Sequence, residues 1–207
     1  MKAYTLAILM LNAPWTFASL IIDTGEPIQK NAGGTLRAGV QELAGYITLD
    51  SPYTLNSIEG WMSGEVIVGT FNLMVLGSLD DKPNDLDVYF DSKADYRFGS
   101  PQGGYNGVYD IDLDLASGNY WIVFGVDEFQ TFRGFMPMDS PKPLENGAAR
   151  GTWSNWEWRT STGYDISLRI DAELHEISTP PTAALLVMAL LLLQTRLRRV
   201  RNRVQYV

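Results

Sequence analysis

The sequence predicts an all-β fold, a jelly-roll-like β-sandwich flanked by an N-terminal signal helix and a C-terminal hydrophobic helix. Three observations carry that prediction. From Leu20 to about Ile177, short alternating apolar runs are punctuated by Gly, Asn, Asp and Pro. No stretch in that interval keeps a 3.6-residue period. Each end of the chain, by contrast, carries an apolar run of a different kind.

Met1-Lys2 is followed by an apolar run from Ala3 to Leu11, then Asn12-Ala13-Pro14 as a helix breaker, then Thr16-Phe17-Ala18-Ser19. A charged start, a short apolar core and small residues before a cut after Ala18 define residues 1–18 as a secretory signal handled by the Sec translocon. The competing reading is a buried first helix, but nothing polar recurs at helical spacing in that run.

Residues 19–177 then form the exported domain. Its expected strands are Leu20–Asp23, Gly45–Leu49, Thr54–Trp61, Glu65–Leu76, Asp87–Phe90, Gly107–Leu115, Asn119–Val126, Gly134–Met136, Trp153–Arg159 and Tyr164–Ala172. Gly118-Asn119 marks a turn between two of the strongest. Alternation from Val108 to Leu115 points Tyr109, Ile111, Leu113 and Leu115 inward and leaves Asp110, Asp112 and Asp114 on the solvated face. Tyr120 to Phe124 is apolar on both faces and reads as a central strand. About ten short strands separated by turn signals suggest two facing sheets.

The tail, residues 178–207, is breaker, apolar helix and basic stop. Ser178-Thr179-Pro180-Pro181-Thr182 interrupts the chain, Ala183 to Leu193 is continuous hydrocarbon, and Arg196, Arg198, Arg199, Arg201 and Arg203 follow. The apolar core is shorter than the roughly 20 residues of a full bilayer span, so the helix crosses only with thinning or with snorkelling arginines. The arginines orient it, because a basic cluster beside an apolar segment stays cytoplasmic. Everything upstream then lies outside, and the tail holds the chain at the inner membrane until it is processed.

Charge excludes one class of partner. All 24 acidic residues lie between Asp23 and Glu176, with only 10 of the 16 basic ones, since Lys2 and the five tail arginines fall outside; the exported part is near −14. Such a surface repels nucleic acid. With no cysteine, disulfides and thiolate chemistry are excluded together.

The tail resembles the PEP-CTERM sorting signal of Gram-negative bacteria. In the sorting motif, Thr179 stands at the place of the first proline, Pro180 at that of the glutamate and Pro181 at that of the second proline. The resemblance implies that an exosortase-type sorting protease cleaves near this motif and passes the protein to the cell surface or the exopolysaccharide matrix. Residues 48–61, 115–122 and 165–170 look like recurring segments of the β-sandwich ectodomains of that family, which implies fold and placement only.

Within the domain, catalytic residues are not expected. His175, the one histidine, sits at the domain's end, where a Ser-His-Asp arrangement or a histidine metal site is not expected. The carboxylates are abundant but none stands out as a catalytic pair. In the loop Asp80 to Asp87, the oxygens of Asp80, Asp85 and Asp87 suit calcium; the competing reading is a solvated hairpin turn. No other cofactor is expected. Trp156 and Trp158, placed on one side of their expected strand, are either core or a strip that stacks on sugar rings. Trp61 and Trp121 read as core. The leading expectation is therefore a non-enzymatic surface protein with polysaccharide as partner. A carbohydrate-active hydrolase on the same scaffold and a calcium-stabilised adhesion module are the alternatives.

Overall fold

The computed structural model describes residues 18–29, 33–37, 39–64, 68–97, 103–126 and 133–175. The chain divides into units Met1–His175 and Glu176–Val207, and all described residues belong to the first. The expected signal segment up to residue 17, the motif Thr179, Pro180 and Pro181, the apolar tail helix and the arginines from Arg196 to Arg203 lie outside the described residues.

The described chain is all-β. Its strands are β1 (Ser19–Asp23), β2 (Gly33–Arg37), β3 (Gln41–Leu49), β4 (Tyr53–Gly64), β5 (Val68–Leu79), β6 (Lys82–Arg97), β7 (Gly104–Leu115), β8 (Gly118–Gly125), β9 (Arg133–Pro137), β10 (Gly147–Gly151), β11 (Arg159–Ser161) and β12 (Leu168–Leu174). They build two antiparallel sheets. One has the order β1-β12-β4-β7. The other runs β6-β5-β8-β3-β10-β11, with β2 and β9 continuing from the start of β3. β4 belongs to both, because its last residues, Ser63 and Gly64, leave the first sheet and pair with β9.

Period-2 alternation fixes what each face buries. Phe71, Leu73 and Val75 of β5, Ile122 and Phe124 of β8, and Leu43 and Ile47 of β3 point to Leu55 and Ile58 of β4 and Ile170 and Ala172 of β12 in one core between the sheets. The opposite face of the second sheet is also dry. There Ala44, Leu76, Trp121, Val123 and Ala148 form a smaller cluster, and Trp158 lies in it. Alanines at the paired positions 44 and 148 leave room on that face for the indole ring. β8, between β3 and β5 and buried on both faces, is thus the central strand the sequence predicts. Trp61 and Trp121 are buried as expected.

Four expectations are corrected. β2 and β10 are strands the sequence does not predict, because runs such as Gly33-Gly34-Thr35 and Gly147-Ala148-Ala149 lack the large β-branched residues that signal a strand. The predicted strand Trp153–Arg159 is instead a 3-10 turn at Thr152–Ser154 followed by an irregular loop. Gly118-Asn119 opens β8, so the turn lies at Ala116-Ser117. Tyr109 points outward and is 56% exposed. The cause is a bulge: Leu113 faces Leu55 and Tyr109 faces Ser57, so Asp110, Ile111 and Asp112 stand opposite the single residue Asn56. Asp110 and Asp112 take the left-handed conformation there, with φ of 55° and 47°. The two extra residues, with Asp110 and Asp112 left-handed among them, break the alternation between Val108 and Ile111, which pattern counting along β7 cannot see.

One buried group ties this sheet to pH. The Tyr105 ring meets Trp61 edge-on at 5.2 Å and lies under the Arg169 guanidinium at 3.8 Å. Its hydroxyl is buried with no hydrogen-bond partner. Burial pushes the phenol up to about 12, against a partial lowering by Arg169. The folded chain thus holds this proton over a range where the unfolded chain, titrating near 10.0, has lost it. Stability is therefore complete below pH 10 and lost as pH rises towards 12. Tyr105→Phe is expected to flatten that alkaline loss while leaving neutral-pH stability unchanged or slightly higher. Thermal melting from neutral to alkaline pH checks it.

Candidate functional site

Two segments that the sequence marks for separate reasons meet in space. The β5–β6 hairpin and the loop that precedes β11 enclose an open cleft of about 410 Å³, within the usual range for small-ligand sites. The hairpin contributes Leu79, Asp80, Lys82, Pro83, Asn84 and Asp85; the loop contributes Trp156, Glu157 and Trp158.

The hairpin wall is shaped by local turn chemistry. Leu79 pairs with Lys82, leaving the two-residue turn Asp80-Asp81, with φ of 51° and 57°. That is the left-handed pair of a type I′ turn, and aspartate tolerates it better than most residues. Beyond the turn, Gly77 pairs with Asn84 but Leu76 pairs with Val88, so Asp85, Leu86 and Asp87 bulge out of the ladder. The Asn84 side chain accepts the Leu86 N–H at 3.1 Å and sets the bend. The bulge turns Asp85 toward the cleft. Asp87 instead packs over Gly77, where no side chain stands in its way, and accepts the Tyr89 hydroxyl at 3.3 Å.

The opposite wall is tied by Ser154, which is buried. Its hydroxyl accepts the Gly151 N–H at 3.1 Å and donates to the Glu157 carbonyl at 2.8 Å, while the Trp156 N–H donates to the Gly151 carbonyl at 3.0 Å. This knot forces Asn155 and Trp156 into the left-handed region, with φ of 52° and 61°. Such a conformation is costly for a bulky residue and persists only where its surroundings impose it. Trp156 is 43% exposed at the cleft, whereas Trp158, two residues on, is 8% exposed. The expectation that both share one side is corrected: the loop is not a strand, so alternation does not apply.

Arg150, on β10, holds the walls together. Its Nε lies 2.6 Å from Glu42, its cross-strand partner on β3, and its Nη1 lies 2.5 Å from Asp85. Its guanidinium stacks 4.4 Å from the centre of the Trp158 ring, and the Trp158 indole N–H donates to Asp85 at 3.4 Å. Trp158 is therefore the floor of the cleft, Trp156 its rim, and Asp85 a fixed acceptor between them. Nothing in a single sequence marks Arg150 or Glu42, whose roles arise from pairing across 108 residues.

Asp80 and Asp85 are thus brought to Trp156 and Trp158, while Asp87 is not. Among the described residues no group of three or more His, Asp or Glu side chains is gathered to hold a metal ion, so Asp80, Asp85 and Asp87 form no such cluster. Asp110, Asp112 and Asp114 are exposed on β7, as expected of a solvated face. His175 lies away from the cleft, with Nδ1 3.4 Å from the Thr54 hydroxyl and 3.6 Å from Asp114. Thr54 donates to Asp114 at 2.6 Å, so its proton points to the carboxylate and not to the imidazole. The cleft therefore offers an aromatic face and hydrogen-bonding oxygens with no histidine base beside them.

Comparison of the chain with protein-family models, with curated proteins and with solved structures gives no match.

Proposed function

We propose that this chain is an exported, non-enzymatic protein of the cell surface or extracellular matrix that binds polysaccharide in the cleft between Trp156 and the β5–β6 hairpin. The observation that carries the reading is Trp156: a large aromatic held in left-handed backbone, with its ring exposed beside a cleft of ligand size. Strain of this kind serves to position a side chain for use, and an exposed indole above carboxylate and amide oxygens matches the face and the hydroxyls of a sugar ring.

The remaining parts of the reading come from the sequence. The fold is read as a jelly-roll-like sandwich between a signal helix and a hydrophobic tail helix. Cleavage after Ala18 leaves every residue of β1 in place, because that strand begins at Ser19. The Sec translocon exports the chain, the tail holds it at the inner membrane, and an exosortase-type protease of the PEP-CTERM system releases it near Thr179-Pro180-Pro181. The acidic exported surface has no use for nucleic acid.

Trp156→Gly separates function from folding. Glycine accepts the left-handed backbone without strain, which offsets part of the packing lost with the half-buried indole, so the variant is expected to stay folded within about 1 kcal/mol of wild type. Its affinity for a polysaccharide that the wild-type chain retains should fall about thirtyfold, the size of an aromatic hot spot of about 2 kcal/mol. Affinity electrophoresis through polysaccharide gels, with thermal melting alongside, measures both. Unchanged retention of a folded Trp156→Gly protein would remove the cleft from the reading.

A further inference from the structure

We propose that the cleft selects a cationic saccharide, an amino-sugar polymer carrying free ammonium groups, over its N-acetylated or uronate counterparts. This rests on the polysaccharide reading above and deepens it. The cleft wall carries three carboxylates, Asp80, Asp85 and Glu157, and one cation, Lys82. Behind it, Arg150 is matched by Glu42, so the guanidinium does not cancel the excess. The groups facing a ligand therefore sum to about two negative charges.

The acids differ in how free they are. Asp85 is held by Arg150 and by the Trp158 indole N–H. Asp80, at the tip of a type I′ turn, and Glu157, on the loop, are exposed, and among the described residues neither carboxylate is held by an ion pair or a side-chain hydrogen bond. They stand on opposite walls, one from the hairpin and one beside Trp156. A sugar stacked on the Trp156 ring thus lies between two carboxylates that accept an ammonium group, while the indole face itself favours a cation. An N-acetyl group replaces that charge with a neutral amide, and a uronate meets repulsion from both walls. The net charge of the exported part adds a long-range bias of the same sign.

Titration calorimetry of the full chain in detergent, in mildly acidic, low-salt buffer, tests this with three probes: the glucosamine tetramer, the N-acetylglucosamine tetramer and the galacturonate tetramer. The glucosamine tetramer is expected to bind about tenfold more tightly than its acetylated form, with the galacturonate weakest. High salt should shrink the difference. Asp80→Asn with Glu157→Gln, both exposed positions, should erase the preference while near-ultraviolet circular dichroism stays unchanged. Equal or tighter binding of the acetylated or uronate probe, or a preference that survives the double substitution, overturns the charge selection. If these probes bind without preference but through Trp156, only this inference falls. If none binds the folded wild-type chain, the polysaccharide reading falls with it.

Discussion

Arg150→Met is expected to destabilise the fold by about 2–3 kcal/mol, more than any single change on the cleft's rim. The side chains of Arg150 and Glu42 are only 17% and 18% exposed, so removing the guanidinium takes a close opposite charge away from a largely dehydrated carboxylate. Asp85, at 49% exposure, loses less, because water can replace its partner. Stacking on Trp158 is lost as well, though the methionine keeps part of the packing. Adding Glu42→Gln to Arg150→Met should recover about half of the loss, since the largely buried negative charge is then gone. Urea denaturation with the wild-type slope checks both, and an equally unstable double variant would show that packing, not the lost charge pairing, carries the cost. The single variant is also expected to weaken the proposed polysaccharide binding, because Asp85 and the Trp158 floor lose their common anchor.

Gly107→Ala is expected to cost about 3 kcal/mol although it adds one methyl group near the surface of the first sheet. β7 lies beside β4 at this point, Gly107 paired with Glu59, with almost no clearance. A Cβ on residue 107 would overlap the Ile58 carbonyl oxygen and stand 2.6 Å from the Glu59 Cα. Both are backbone atoms inside a paired strand, so neither moves without breaking the ladder. Gly104, three residues earlier on β7, has nothing within 4 Å of the same construction. Gly104→Ala should therefore stay within about 0.5 kcal/mol of wild type, which makes the pair its own control. Equal effects at 104 and 107 would refute the close-approach argument.

These predictions draw on different amounts of what the residues announce in order. The dry, central β8 is legible from Tyr120-Trp121-Ile122-Val123-Phe124, because an apolar run short enough to be a strand and free of polar positions fits only a place between two covered faces. The hairpin at Asp80-Asp81 is legible for the same local reason, since turn residues announce turns. The inversion at Tyr109 is not: the bulge exists only relative to β4, and its two extra residues look like more alternation. Nor is the loop around Trp156 legible as a loop. Trp153, Trp156 and Trp158 have the β-propensity of a strand, and it is the Ser154 hydrogen bonds that bend them out of one.

The candidate cleft shows the same division. Its acidic turn and its tryptophans are each visible in the sequence as groups that can hold a ligand, yet the chain places them more than 70 residues apart, and nothing in their spacing brings them together. By itself the sequence determined the all-β class, the central strand, the acidic charge of residues 19–177 and the residue types available for binding, because these follow from local periodicity and composition. Tertiary structure alone decided that Trp158 is buried while Trp156 is displayed, that Asp85 turns to Arg150 and Asp87 to Tyr89, and that both walls close on one space. Those outcomes depend on register, bulges and cross-strand partners, which are relations between distant segments and leave no periodic mark in any one of them.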